Sequence, residues 1–156
     1  MKSKILLNLM LIAALVALSL YAYFKPWQDA APSIKLTQLK RDDITRIAVE
    51  PRGAAAIKLE KIDGVWRIVA PLTAQAEDTQ VDRLLDIVAA SAKQKLANAD
   101  LAQFDLKPPP VRVTLNDQAF AFGRVNDITY EQYVATADGV YTVPPLYGYG
   151  IPTDVV

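Results

Sequence analysis

The side chains able to do chemistry in this chain are carboxylates, lysines, tyrosines and serines, because the sequence contains no histidine and no cysteine. The missing cysteines exclude disulfides, thiol catalysis and Cys-bound zinc. The missing histidines remove the commonest general base, the commonest transition-metal ligand and the Ser-His-Asp arrangement. We therefore expect no catalytic residues and no cofactor, and predict that the protein is not an enzyme. A carboxylate-based or metal-dependent enzyme is the minor alternative.

One group of carboxylates has a spacing that could serve a metal ion. Asp78, Asp82 and Asp86 recur every four residues, which places them along one stripe of a helix. Such a stripe could hold a hard cation such as calcium. A solvated helix face explains the pattern better, because further oxygen ligands and a binding-loop pattern are missing. We therefore predict no metal site.

The charge of the chain argues against nucleic acid as a partner. There are 17 basic and 17 acidic residues, so the formal net charge is zero. Three of the lysines, Lys2, Lys4 and Lys25, come at the start, which leaves the rest of the chain weakly acidic. A weakly acidic domain lacks the basic surface that phosphate backbones require.

The first residues have the pattern of a membrane anchor. No charged residue occurs from Ile5 to Phe24, and a helix of about 20 apolar residues matches the bilayer core. A cleaved signal peptide is the minor alternative, since its apolar region is shorter and ends in small residues. We predict an uncleaved transmembrane anchor over residues 1–25. The aromatic residues expected at the membrane interface are Tyr21, Tyr23 and Trp27.

The flanking charges predict the topology of this anchor. Lys2 and Lys4 precede the apolar segment and Lys25 follows it, which favours a cytoplasmic N-terminus and an external domain. In a Gram-negative cell the protein would be a single-pass inner-membrane protein with a periplasmic domain. Residues 26–40 are interpreted as a linker and lead-in, with two prolines that favour an extended spacer.

The clearest local signal beyond the linker is a β-hairpin. The dipeptide Asp63-Gly64 lies between two β-rich runs, and it suits a two-residue turn because both turn positions need positive φ. This turn pairs Leu59 with Ile68, so that the two share a face of the sheet. The predicted core face carries Ile57, Leu59, Trp66, Ile68 and Ala70.

Two further hairpins are predicted from the same pattern, with turns at residues 116–117 and 138–139. The first turn is flanked by runs in which apolar and polar residues alternate, as in half-buried strands, and the second lies between the β-rich runs 133–136 and 140–143. The predicted pairs are Val111 with Phe122 and Val113 with Phe120 in the first hairpin, and Thr136 with Tyr141 and Val134 with Val143 in the second.

One main helix is predicted between the first two hairpins. Val81, Leu84 and Leu85 fall at i, i+3 and i+4 and begin an apolar stripe that continues to Val88 and Ala92. The predicted N-terminal cap is Asp78 or Thr79.

The fold class is therefore α+β, with a largely antiparallel, hairpin-rich sheet packed with one main helix after the N-terminal transmembrane helix. The domain is expected over residues 41–143 and a Pro/Tyr/Gly-rich tail over residues 144–156. The tail could pack over its own sheet or contact a partner, and the sequence favours neither. The candidate partner-binding residues are Leu146, Tyr147, Tyr149 and Ile151.

Several of these motifs together resemble a bacterial domain-of-unknown-function family, number 4340. The resemblance covers Ile44 to Val143. It is carried by Lys61–Ile68, Ala70-Pro71, Ala76, Leu101, Phe104–Pro108, Phe120–Gly123, Tyr133-Val134 and Val140–Val143. The family usually has Gly where this chain has Asp105, so we expect Asp105 to adopt a left-handed backbone conformation, which Asp tolerates.

The resemblance implies a place in the cell envelope and no catalytic residues. Many relatives are single-span envelope proteins, and similar domains occur in auxiliary parts of gliding-motility-type ABC transporters. The apolar N-terminal segment, the missing catalytic chemistry and the aromatic tail lead us to expect a membrane-anchored, non-enzymatic binding or assembly module whose partner is another envelope protein. An accessory subunit of an ABC-type transport system is the alternative, and it rests on the resemblance alone.

Overall fold

The structure is a computed structural model that describes residues 2–24, 33–97 and 99–152. The chain divides into two compact units, Met1–Pro32 and Ser33–Val156. Each unit is described by itself.

The first unit contains one helix, α1, over Lys2–Phe24. Its side-chain surroundings are described for residues 5–21, and these side chains are exposed. Within the described residues, no helix combines the length and the apolar character needed to cross a membrane.

The second unit is built on a large antiparallel sheet, which confirms the predicted α+β class with few helices. Nine strands pair in the order β5-β4-β3-β2-β8-β9-β10-β11-β7, and β1 pairs separately with β6. All of these pairs are antiparallel. The strands are β1 Ile34–Lys35, β2 Arg46–Pro51, β3 Ile57–Ile62, β4 Val65–Ala70, β5 Ala74–Gln75, β6 Ser91–Ala92, β7 Gln94–Leu96, β8 Val111–Leu115, β9 Gln118–Val125, β10 Gln132–Thr136 and β11 Gly139–Val143.

Residues 33–40 of the predicted linker and lead-in lie within this unit. Strand β1 pairs with β6, and the two residues after it, Leu36 and Thr37, are buried. The earlier part of that segment, residues 26–32, lies outside the described residues.

The first two predicted hairpins are confirmed in turn and register. Leu59 lies opposite Ile68 and Val113 lies opposite Phe120. Asp63 and Gly64 have φ values of 53° and 82°, and Asn116 has φ 52°. The positive φ angles are the reason for Asp, Gly and Asn at these turns, since these residues tolerate that conformation best.

The predicted register of the third hairpin is wrong by two residues. Val134 lies opposite Tyr141 and Thr136 lies opposite Gly139, so the turn is at residues 137–138. The Asp138 N–H donates to Thr136 Oγ1 at 3.2 Å, which closes the turn one residue before the predicted position. A shift of two residues keeps the alternation of faces, so Val134 and Tyr141 are still in the core.

The predicted helix is confirmed, but its predicted cap is wrong. Helix α2 spans Asp78–Leu85 and continues as a 3₁₀ helix over Asp86–Ala89. The cap is Glu77, whose carbonyl accepts from the Gln80 N–H at 3.0 Å and the Val81 N–H at 3.1 Å. Because the helical backbone already begins at residue 78, neither Asp78 nor Thr79 is in the cap position.

The main core lies between α2 and one face of the sheet. The helix contributes Val81, Leu84 and Leu85, all buried as the apolar stripe predicted. Ala92, which the prediction placed on the same stripe, is buried in β6 instead. The largest fully buried side chains are Phe120, Phe122, Ile44, Ile47, Leu84, Ile87 and Leu115.

A smaller cluster covers part of the opposite face of the sheet. Leu106, Tyr133 and Val140 are buried there, and the Phe104 ring stacks on Tyr133 with centroids 4.1 Å apart. Asp105, between Phe104 and Leu106, has φ 57°, which confirms the expected left-handed conformation.

The sheet has two chemically different ends. The hairpin turns at residues 63–64, 116–117 and 137–138 all lie at one end, which we call the turn end. Arg46, at the start of β2, lies between the first two of these turns. It is opposite Glu60 of β3, and its carbonyl accepts from the Asn116 N–H at 2.9 Å. The other end, which we call the tail end, carries the β9–β10 loop and the C-terminal segment after β11.

A candidate docking surface at the tail end

The C-terminal segment forms one short helix, α3, over Leu146–Tyr149. The Pro145 carbonyl accepts from the Gly148 N–H at 3.0 Å and from the Tyr149 N–H at 3.2 Å. Pro145 is the N-cap residue, and proline suits it because its φ of −69° is helical and no N–H is required there. The Gly148 carbonyl then accepts from the Ile151 N–H at 3.3 Å, which turns the chain back towards the core.

The four candidate partner-binding residues divide into two pairs. Tyr147 is half-buried against the main core, and Ile151 is a buried member of it. Leu146 and Tyr149 lie three residues apart, on one side of the helical turn, and are exposed by 62% and 77%. The tail therefore packs on its own domain through one pair and presents the other pair to solvent.

Helix α3 is fixed against the sheet by a close contact between Gly148 and Gln132. A Cβ at position 148 would lie 2.0 Å from Gln132 Oε1, so any residue larger than glycine would require the Gln132 amide or α3 to shift. Gln132 is buried at the start of β10, opposite Val125 and Val143, and its Nε2 donates to the Gly123 carbonyl at 3.0 Å. The contact leaves α3 little freedom to move on the sheet.

The loop between β9 and β10 lies at the same end and is held by Asn126. Asn126 Oδ1 accepts from the Ile128 N–H at 2.9 Å and from the Thr129 N–H at 3.2 Å. Its backbone N–H donates to the Glu131 carbonyl at 2.7 Å, and its carbonyl accepts from the Tyr130 N–H at 2.9 Å. These bonds make residues 126–131 a closed loop with a defined shape.

Two exposed apolar side chains of this loop are not among the partner-binding residues predicted from the sequence. Ile128 is 88% exposed and Tyr130 is 73% exposed. Among the described residues of the second unit, no large hydrophobic side chain outside the β9–β10 loop and α3 is more than 48% exposed. We call Ile128, Tyr130, Leu146 and Tyr149 the apolar patch. In the sequence, Ile128 and Tyr130 are isolated apolar residues in a polar loop, which gives no signal of exposure.

Two of the three carboxylates in the predicted stripe, Asp82 of α2 and Asp86 of the 3₁₀ helix, are engaged by an arginine. Arg41 Nη2 lies 2.5 Å from Asp82 Oδ1, and Arg41 Nη1 lies 2.8 Å from Asp86 Oδ1. Partial burial lowers the pKa of Arg41, but hydrogen bonds and charges from Asp86 and Asp82 outweigh it, so the pKa is raised. Within the described residues, no three carboxylates are grouped so that they could hold a metal ion.

A cleft of about 600 Å³ lies at the turn end. Its lining includes the small side chains of Ala121 and Ala135 and the hydrogen-bonded pair of Thr37 and Gln118. Arg112 also lines it and pairs with Glu50 at 3.8 Å. The volume is within the range of ligand pockets, but Thr37 and Gln118 already bond to each other and Arg112 already pairs with Glu50.

The predicted membrane-interface residues fall mostly outside the described side chains. Tyr21 lies on α1 and is exposed. The backbone of Tyr23 belongs to the same helix, but its side chain and the whole of Trp27 lie outside the described residues.

In a comparison with known families, the chain matches the family described as "Domain of unknown function (DUF4340)". The match covers residues 66–155, which is more than half of the 156 residues. It begins at Trp66 and extends beyond Val143, so it includes α2, the β9–β10 loop and α3. No curated protein and no solved structure matches the chain.

Proposed function

The chain belongs to the DUF4340 family, and from this premise we propose that it is a membrane-anchored, non-enzymatic binding or assembly module that docks another envelope protein. The observation that carries the proposal is the exposure of Leu146 and Tyr149 on a short helix that packs on the main core through Tyr147, with Ile151 buried just after it. Residues that are held rigidly and exposed suit binding, because little conformational freedom is lost when a partner covers them.

The free energy available from this pair is appreciable. Burying a large apolar side chain yields about 1.5–3 kcal/mol, and Leu146 and Tyr149 keep most of their surface in water. The Tyr149 hydroxyl adds a polar group that can hydrogen-bond to a partner. Tyrosine is also among the residues that contribute most to protein interfaces.

The proposed anchor is α1, and its support comes from the sequence and from the chemistry of its surface. No charged residue occurs between Ile5 and Phe24, and the described side chains of this segment are exposed. Apolar side chains on all sides of a helix suit a lipid environment. Lys2 and Lys4 favour a cytoplasmic N-terminus, which would place the domain in the periplasm of a Gram-negative cell.

The proposal is tested by purifying the tagged full-length protein in mild detergent after cross-linking in cells. The double variant Leu146→Ala/Tyr149→Ala is compared with Ile62→Ala/Val65→Ala, a matched pair of exposed apolar residues at the turn end. We expect a stoichiometric envelope protein with the wild type and the control, and its loss with the tail variant. If the tail variant retains the partner as well as the control does, Leu146 and Tyr149 have no role in docking.

The identity of the partner decides between the two roles considered for the protein. A multi-span permease recovered together with an ATPase would favour the accessory subunit of a transport system. A single envelope protein without an ATPase would favour an assembly role.

A further inference from the structure

We propose that Ile128 and Tyr130 form one docking surface with Leu146 and Tyr149, and that its partner is a protein with an apolar pocket and a basic side chain at the rim. This inference rests on the proposed function and names the chemistry of the partner at that same site. It adds a second segment of the chain, the β9–β10 loop, to the surface.

The two segments lie at the same end of the sheet because β9 and β11 both end there, on either side of the start of β10. The β9–β10 loop closes where Gln132 lies opposite Val125, and β11 ends where Gln132 lies opposite Val143. Gly148 of α3 then rests against the Gln132 amide. The four most exposed large hydrophobic side chains in the described part of the domain therefore come from two segments that flank one buried residue.

The shape of the loop favours a protein partner over a fluid lipid surface. Asn126 fixes the loop through bonds to Ile128 and Thr129, so Ile128 stands out at a defined position. Tyr130 has φ 54°, a left-handed conformation that bulky residues rarely adopt. Strain of this kind persists only where the surroundings enforce it and is concentrated at functional sites. A shaped pocket benefits from such preorganisation, whereas a bilayer does not require it.

The charge of the loop gives the second argument. Asp127 directly precedes Ile128 and is exposed, and within the described part of the chain its carboxylate forms no ion pair. Insertion of Ile128 into a bilayer would bring this carboxylate towards hydrocarbon, which is costly. A protein pocket with a lysine or arginine at its rim would accept Ile128 and pair with Asp127 together.

The experiment uses a photo-reactive phenylalanine analogue, p-benzoylphenylalanine, placed singly at Tyr130 or Tyr149 of the full-length protein in its native cells. A third probe at Val65, which is exposed beside the first hairpin turn, reports the turn end. We expect the Tyr130 and Tyr149 probes to give adducts with the same protein, and the Val65 probe to give none with it. We further expect Asp127→Lys to lower both adduct yields at least about fivefold. The matched control is Asp138→Lys, an exposed carboxylate at the turn end that should leave the yields unchanged.

Each other outcome overturns the inference in a distinct way. An adduct from Tyr149 but none from Tyr130 would remove the loop from the surface and leave the proposed function intact. Adducts with lipid alone, or of twice the mass of the chain, would replace the partner by a membrane or a second copy. Equal yields with Asp127→Lys and Asp138→Lys would exclude the basic rim. No protein adduct from any probe, with no partner recovered by purification, would refute the proposed function itself.

Discussion

The substitution Gly148→Ala should destabilise the domain, although intrinsic helix propensity predicts the opposite sign. In an exposed helix interior, replacing Gly by Ala stabilises by about 1 kcal/mol. Here the new Cβ would lie 2.0 Å from Gln132 Oε1 and 2.5 Å from Gln132 Nε2. Real Cβ atoms do not approach other atoms so closely, so either the Gln132 amide or α3 must move.

The cost follows from what the Gln132 amide holds. Gln132 is buried, and its Nε2 donates to the Gly123 carbonyl at 3.0 Å. Moving the amide breaks this bond and leaves buried polar groups unpaired, which costs about 1–3 kcal/mol. Moving α3 instead withdraws Tyr147 and Ile151 from the core, at a cost of similar size. We therefore expect Gly148→Ala to lower the free energy of unfolding by about 1–3 kcal/mol.

Chemical denaturation of the full-length protein in detergent, followed by circular dichroism, measures this change. The matched control is Gly150→Ala, whose Cβ would lie 3.4 Å from the flexible Arg83 side chain and needs little adjustment. A second arm repeats Gly148→Ala in a Gln132→Ala background, where the amide is gone and the penalty should fall by about 1 kcal/mol or more. Equal stability of Gly148→Ala and Gly150→Ala would refute the account of how α3 is fixed.

Three further predictions test the loop, a turn and the carboxylate stripe. Asn126→Ala removes the acceptor for the Ile128 N–H. Hydrogen exchange of the loop amides should accelerate, while the global free energy of unfolding falls by less than about 1.5 kcal/mol. Unchanged exchange rates would show that Asn126 does not hold the loop. Asn116→Gly keeps the positive φ but removes side-chain hydrogen bonds to three backbone groups. The free energy of unfolding measured in urea should therefore fall by about 2 kcal/mol, and an unchanged value would show that these bonds do not stabilise the turn. Arg41→Gln breaks two exposed ion pairs and should lower the free energy of unfolding by less than about 1 kcal/mol at low salt. A larger decrease that added salt does not reduce would contradict the description of these pairs as exposed.

The sequence was sufficient for the hairpins whose turns require an unusual backbone. Asp63, Gly64 and Asn116 have positive φ, and few residue types tolerate that conformation, so residue type reveals the turn. The third hairpin shows the limit of this signal. It also contains an Asp-Gly pair, but the Thr136 hydroxyl bonds to the Asp138 N–H and closes the turn earlier. Both turns are locally acceptable, and the choice between them depends on pairing with the neighbouring strands.

The apolar patch was predictable only in part, because exposure depends on the tertiary structure. The concentration of Tyr, Pro and Leu after β11 predicts Leu146 and Tyr149 as candidate partner-binding residues. Ile128 and Tyr130 gave no such signal, since an isolated apolar residue among polar neighbours has no periodicity that predicts its burial. Their exposure follows from the bonds of Asn126, which fold the loop on itself.

The division of the tail into buried and exposed pairs follows from a long-range contact. Two prolines and two glycines in residues 144–150 disfavour a helix on propensity alone. The helical turn forms where Gly148 meets the Gln132 amide, and at this point a side chain would clash. Once that turn exists, Leu146 and Tyr149 must share a face because they are three residues apart, and Tyr147 must point elsewhere. Burial of Tyr147 against the core then directs the first pair towards solvent. The contact between Gly148 and the Gln132 amide therefore also determines which tail residues are exposed.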